Sequence, residues 1–236
     1  MVIRKPTGTE HVNTANRSLM VAPALVGLLA AGVVSVKLGI GGEATYAANR
    51  AFDESRLSGL PLAPQRLQSM RDQLASAVRW SPRDPSIHEL LFVSAGSSLG
   101  TEQKLEDADR AISEALRLRP ASAVTWANFA AQRYLRGDTG VTFETAIERA
   151  VELGPYESEV QRIVANYGLA VFDEVRPSTK SAIEKAVVAG MVWDVRPMMQ
   201  IAQRRGRLDV ACRLVSTSPR PDRKWSQLCE SMEAKS

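Results

Sequence analysis

The sequence predicts an all-α fold: one apolar helix of membrane length, then an α-solenoid of stacked helix hairpins. Three observations carry this. Eighteen consecutive residues near the N-terminus bear no charge, and similar helix-like segments recur at spacings of 35 to 38 residues through the rest of the chain. Glycines and prolines fall between apolar stripes of helical period, and no alternating strand pattern of any length occurs. The 236 residues are enough for a sizeable core, and two cysteines, two histidines and 6% aromatics leave little material for a metal cluster or haem site.

The apolar helix comes first. Leu19 to Val36 reads LMVAPALVGLLAAGVVSV, and after Lys37 the apolar character continues to Ile40. At 1.5 Å per residue the uncharged run covers about 27 Å and the stretch to Ile40 about 33 Å, bracketing a hydrocarbon core of roughly 30 Å. Lys37 reaches the interface by extending its side chain along the helix. Pro23 lies in the first turn or so of the span, where a missing N–H costs little. Residues 18–40 are therefore read as a retained signal anchor. A cleaved signal peptide is the competing reading, but it calls for an apolar run of about 7 to 15 residues and a small-residue cleavage site. Ala44, Ala47 and Ala48 around Tyr46 give no clean site of that kind.

Orientation follows from the flanks. Arg4, Lys5 and Arg17 precede the span with Glu10 as the single acid, whereas Lys37 is soon balanced by Glu43. The positive-inside rule then puts residues 1–17 in the cytoplasm as a tail and residues 41–236 across the membrane, in the periplasm of a bacterium. Setting aside Arg4, Lys5, Arg17, Lys37 and Glu10 leaves 26 basic against 25 acidic residues, so the net charge of +4 is largely a topology signal and gives no support to a nucleic-acid partner. One local excess remains: Arg196, Arg204, Arg205, Arg207, Arg213, Arg220, Arg223 and Lys224 face only Asp209 and Asp222. It reads either as a solvated helix face or as a contact for anionic headgroups or an acidic partner.

The body is built of repeats. QLASAV at Gln73, AISEAL at Ala111, AIERAV at Ala146 and AIEKAV at Ala182 lie 38, 35 and 36 residues apart. A wider frame runs through them as Met70, Leu74, Ala77, Pro82, then Ala108, Ile112, Ala115, Pro120, then Phe143, Ile147, Ala150, Pro155. The i, i+4, i+7 spacing puts three side chains on one helix face, the alanine admits a close neighbour, and the proline ends the helix. The fourth frame, Thr179, Ile183, Ala186, has Met191 where the proline belongs, and a fifth around Leu208, Cys212 and Val215 is looser. Turns are expected at SGLPLAP, SPRDP, SSLGT, LRGDTG, GP and RPS, with a hinge at Gly41 and Gly42.

On these residues the chain resembles the tetratricopeptide repeat family, whose period is about 34 residues and whose second helix carries an A-x3-F-x2-A pattern followed by proline. Trp126, Phe129 and Ala130 fill the family's first-helix W-x2-L-G places, with Arg133 where a tyrosine is expected and Tyr134 next to it. Val160, Ile163, Val164 and Tyr167 take the same frame one repeat later, and His88, Leu91, Phe92 and Ala95 match it weakly. The resemblance covers residues 64–190, flanked by divergent or capping helices at 43–57 and 192–234, as a solenoid needs at its ends.

The resemblance also implies a groove. Carried over from the first-helix positions that contact ligand in the family, it comprises Glu89, Val93, Gly96 and Ser97, then Ala127, Ala131, Tyr134 and Leu135, then Gln161, Ala165, Gly168 and Leu169. No lysine or arginine is among them, so a clamp for a peptide carboxylate is disfavoured and a hydrophobic or helical ligand, including the chain's own capping helix, fits better. A bland reading, in which this face only packs the superhelix, weighs equally.

Chemistry is sparse. There is no G-x-S-x-G, H-E-x-x-H, C-x-x-C or glycine-rich phosphate loop, His11 lies in the tail, and His88 reads as a hydrogen-bonded packing residue. Neither catalysis nor a cofactor or metal is expected. Cys212 and Cys229 are either joined in a disulfide across the turn STSPRPD or remain two buried thiols. The function expected is a membrane-anchored, non-enzymatic interaction scaffold contacting other envelope proteins. Families that look like this include accessory proteins of surface-polysaccharide assembly or export, towards which the reading leans, and translocon-associated chaperone partners. A glycan-binding module is a further class, with Tyr134 and Tyr167 its suggestive residues.

Overall fold

The computed structural model describes residues 14–58, 60–96, 102–193, 195–215, 227 and 229–230. Among these it contains α-helices, a single 3-10 turn and no strand. The helices are α1 (Thr14–Ser58), α2 (Pro64–Trp80), α3 (Pro85–Gly96), α4 (Glu102–Leu118), α5 (Ala123–Leu135), α6 (Val141–Leu153), α7 (Ser158–Gly168), α8 (Pro177–Trp193), α9 (Val195–Arg204) and α10 (Leu208–Val215), with the 3-10 turn at Leu169–Val171. Most of the cytoplasmic tail expected at 1–17 lies outside the described residues, as do Trp225 and Leu228 of the terminal segment.

The expected hinge at Gly41–Gly42 is absent, because α1 runs unbroken for 45 residues from the apolar stretch into the body. Each glycine costs a helix about 1 kcal/mol relative to alanine. Here the cost is offset by a small-residue stripe. Gly41, Ala48 and Ala51 are buried and Ala44 and Phe52 half-buried, spaced so that one face of α1 lies against α2 and α3. Gly41 is a close-approach glycine: a Cβ there would sit 2.9 Å from Ser81 Oγ and 3.6 Å from Ile87 Cδ1. Between Val26 and Ser55 lies a helical stretch long and apolar enough to cross a membrane, with Val26, Leu28, Leu29, Val33, Val34 and Val36 exposed.

The repeat frame fixes the core of the even-numbered helices. Met70, Leu74 and Ala77 of α2, Ala108, Ile112 and Ala115 of α4, Phe143, Ile147 and Ala150 of α6, and Thr179, Ile183 and Ala186 of α8 are all buried. Where α8 lacks the proline, Met191 is buried and the helix continues to Trp193. Two odd-numbered helices, α5 and α9, end on a glycine of positive φ. Gly137 (φ 74°) brings Asp138 N to Arg133 O at 2.9 Å, and Gly206 (φ 68°) brings Arg207 N to Ala202 O at 2.8 Å. Both are Schellman closures, which need a residue without Cβ strain in the left-handed region.

Among the described residues, buried side chains form three clusters. One joins α1, α2 and α3, a small one joins α3 and α4, and the largest runs without interruption from α5 to α10. In the last of these each helix meets its successor and the helix after that: α5 packs on α6 and α7, α6 on α8, α7 on α8 and α9, and α8 on α10. No comparable lengthwise contact joins α2 to α4, α3 to α5 or α4 to α6 among the described residues.

A hydrogen bond repeats with the fold. His88 Nε2 lies 3.1 Å from Pro82 O, Trp126 Nε1 donates to Pro120 O at 2.8 Å, and Gln161 Nε2 donates to Pro155 O at 3.0 Å. In each case a side chain six residues after the turn proline ties the start of one helix to that proline's own carbonyl in the preceding turn. Gln161 makes the bond that Trp126 makes, one residue after the Val160 aligned with it in sequence.

Candidate functional site

An opening follows from the sparse contact between α2 and α4 among the described residues. A cleft of about 980 Å³ lies between these helices, with α3 as its floor. Its α2 wall presents Gln68, Arg71, Asp72, Ala75 and Val78, and its α4 wall Lys104, Asp107, Arg110, Ala111, Ser113, Glu114 and Arg117. Pro82, His88, Leu91 and Ala95 line the base. The cleft stays open for a chemical reason: Lys104, Asp107, Arg110, Glu114 and Arg117 recur every three or four residues along α4, so the face turned to α2 carries charges that cannot be buried there without large desolvation costs.

The rim is internally neutralised. Arg117 grips Glu114 through Nε and Nη2 at 2.8 and 2.6 Å, and this bond holds the Glu114 carboxyl below the usual carboxylate range. Arg110 Nη2 lies 3.5 Å from Asp107, Gln103 donates to Asp107 at 3.2 Å, and Gln68 donates to Asp72 at 3.0 Å. Arg71 caps the end of α3, its Nε donating to Ser94 O at 3.1 Å, so the carbonyls that the helix terminus leaves open find a cation. The result is an apolar floor between ion-paired walls, within the 300 to 1,000 Å³ of ordinary ligand sites. Among the described residues no three His, Cys, Asp or Glu side chains come together in a way that could hold a metal ion.

The groove residues named from the sequence lie elsewhere and are mostly occupied. Ala127, Ala131, Ala165 and Leu169 are buried in the large cluster. Gln161 is 1% exposed and spends its amide on Pro155, so these positions hold the array together and offer no surface to a ligand. Glu89 is half-buried and accepts from the Thr125 hydroxyl, with Arg119 Nη1 3.5 Å away. Ser122 Oγ lies 2.7 Å from the Thr125 hydroxyl oxygen, which accepts from it, and the Ser122 side chain caps α5 by accepting from Thr125 N. Val93 is exposed, Tyr134 and Leu135 are half-buried, Gly96 ends α3, and Ser97 lies outside the described residues.

The two tyrosines are brought together and covered. Their rings are 5.2 Å apart, and the Arg205 guanidinium lies 5.7 Å from the centre of each while its Nε donates to Asn166 Oδ1 at 3.1 Å. Burial pushes the Tyr167 phenol upward. A sugar stacked on this pair would have to displace Arg205. Arg207 is likewise engaged, its Nη1 2.7 Å from Asp173, so Arg205 and Arg207 of the C-terminal basic excess fasten the turn between α9 and α10 to α5, α7 and the segment after the 3-10 turn. Arg220, Arg223 and Lys224 lie outside the described residues. Arg133, standing where the family pattern has tyrosine, forms an ion pair with Asp109 and lies 4.9 Å over the Phe129 ring, joining α4 to α5. Cys212 and Cys229 form a disulfide with Cα atoms 5.4 Å apart, tying α10 to the terminal segment.

The α2–α4 cleft was not legible from the frame, but a signal existed. Ala75 and Val78 each follow a frame residue by one and Ala111 precedes one, giving a second apolar row beside the core row. No family model matches the chain, and no curated protein matches it in sequence. Its function is therefore argued from its own residues.

Proposed function

We propose that the chain is a non-enzymatic interaction scaffold held at a bacterial inner membrane by residues 18–40, with an α-solenoid body of tetratricopeptide type in the periplasm and an amphipathic segment of another envelope protein as its ligand. The observation that carries the reading is the α2–α4 cleft, apolar at its floor and ion-paired along its walls, in a body continuous with a membrane-length helix. An amphipathic helix laid there covers Ala75, Val78, Leu91 and Ala111 with its apolar face and leaves its polar flanks to the charged walls. The anchor raises the local concentration of the cleft near its partners. The disulfide suits an oxidising compartment and so supports the periplasmic placement.

A photoreactive residue at Ala75, in the full chain and in intact cells, tests this. The expected result is a discrete crosslink to a protein of the inner membrane or periplasm, lost when Val78→Glu is added. Crosslinks to cytosolic proteins alone would contradict both the placement and the scaffold role. A role in surface-polysaccharide assembly predicts that the crosslinked partner belongs to that machinery.

A further inference from the structure

The continuity of α1 fixes which end of the body faces the bilayer. α1 and α2 are antiparallel: Glu54 Oε2 meets Arg66 Nη2 at 2.8 Å near the end of α1, and Gly41 touches Ser81 near the point where the apolar stretch ends. Lys37 and Gly41 are separated by about 6 Å of helix rise. The turn from α2 to α3 therefore lies at the height of the headgroup region, which extends some 5 to 8 Å beyond the hydrocarbon on each side.

That turn carries Arg79, Trp80 and Arg83, all exposed, with Trp80 at 44%. Asp84, the acid beside them, is half-buried and accepts from Ser86 N at 2.9 Å, so its charge serves the start of α3. The next turns of the same kind share this end. Arg119 donates to Ser86 Oγ at 3.3 Å, and a Cβ on Gly154 would meet Ala123 Cβ at 2.5 Å, linking the turns after α4 and α6 to the first one. α8 runs alongside α6, Glu148 receiving Ser178 and Thr179 at 2.8 and 2.7 Å, so its last residue also points to this end. There Tyr156 is 79% and Trp193 69% exposed. Large aromatic residues left open after α2, α6 and α8, though not after α4, are unexplained by the core, and tryptophan, tyrosine and arginine are the residues that settle at a membrane–water interface.

We infer that the end of the body formed by these turns lies on the bilayer itself, with Trp80, Tyr156 and Trp193 seated among the headgroups and Arg79 and Arg83 on lipid phosphates. The inference rests on the membrane-anchored reading above. Contact at this end leaves the α2–α4 cleft, which extends from Pro82 up to Gln68 and Lys104, opening sideways along the membrane surface.

The test uses the full chain in bilayers of phosphatidylcholine and phosphatidylglycerol, with benzoylphenylalanine placed singly at Leu28 within the span, at Trp80, at Trp193, and at Leu60 beyond the far end of α1. After illumination, lipid adducts are counted by mass spectrometry. Adducts are expected at 28, 80 and 193, with roughly tenfold fewer at 60, and Arg79→Glu with Arg83→Glu is expected to lower the adduct at 80 about fivefold or more. Adducts at 28 with none above the Leu60 level at 80 and 193 would overturn the inference and leave the anchor standing. No adduct at 28 would overturn the anchor, and the inference with it.

Discussion

The two halves of the body use the same repeat frame to different ends. In α5–α10 the buried side chains join into one cluster, and each helix touches the two that follow it in sequence, wherever the chain continues. In α1–α4 equally buried frame residues form two smaller clusters with a cleft between α2 and α4. The difference lies outside the frame. α4 turns a charged row towards α2, whereas α6 meets α8 through Glu144 and Glu148, which receive Arg176, Ser178 and Thr179. A carboxylate with partners on the opposing helix draws two helices together; one paired along its own helix, as Glu114 is with Arg117, leaves them apart.

The comparison breaks most visibly through the cores. Ile147→Ala should lower stability by about 2–5 kcal/mol, as for other buried isoleucines, and the loss should spread through α5–α10. Ile112→Ala should cost a similar amount but loosen α3 and α4 alone. Urea unfolding with a fluorescent probe in each half separates the two outcomes, and identical behaviour of both variants would erase the distinction.

The large cluster has one end that is stapled. Replacing both Cys212 and Cys229 by serine opens a loop of 17 residues and should cost about 3 kcal/mol in the chain-entropy model. The loss should be felt through α5–α10, since Arg205 and Arg207 fasten α9 and α10 to α7 and the 3-10 turn that follows it. Thermal unfolding with and without reductant checks this.

The proline bonds should matter less. Trp126→Phe keeps the ring and removes the N–H that reaches Pro120 O, which should cost about 1 kcal/mol. Gln161→Leu should behave similarly.

Much of this was readable in the sequence. The helix long and apolar enough to cross a membrane and the buried row Met70, Leu74, Ala77 with its three successors follow from hydrophobicity and period, which act locally. Three features were not. Gly41 reads as a hinge because glycine is a weak helix former, yet it serves close packing against Ser81, which is 40 residues away in sequence. The bond from Gln161 to Pro155 leaves no mark in a hydrophobic pattern, since the amide is buried beside Val160. The cleft depends on which charged rows face each other, and that is set by tertiary arrangement.

The smallest effect concerns pH. The Thr179 hydroxyl, and after it Ser178 and Arg176, hold the Glu148 carboxyl below its usual 4.5. A depressed folded-state value contributes stability that is present above the unfolded value and is lost as pH falls through the folded one. Thr179→Val should raise the Glu148 value and shrink the acid-side loss below about pH 4.5, as followed by carboxyl titration in NMR or by acid unfolding.

Hydrogen exchange on the full chain in bilayers tests the contrast between the halves most directly. The account predicts that α5–α10 exchange slowly and together, while α4 and the α2 wall of the cleft open separately and faster. Uniform protection from α2 to α10, with a single opening event, would contradict it.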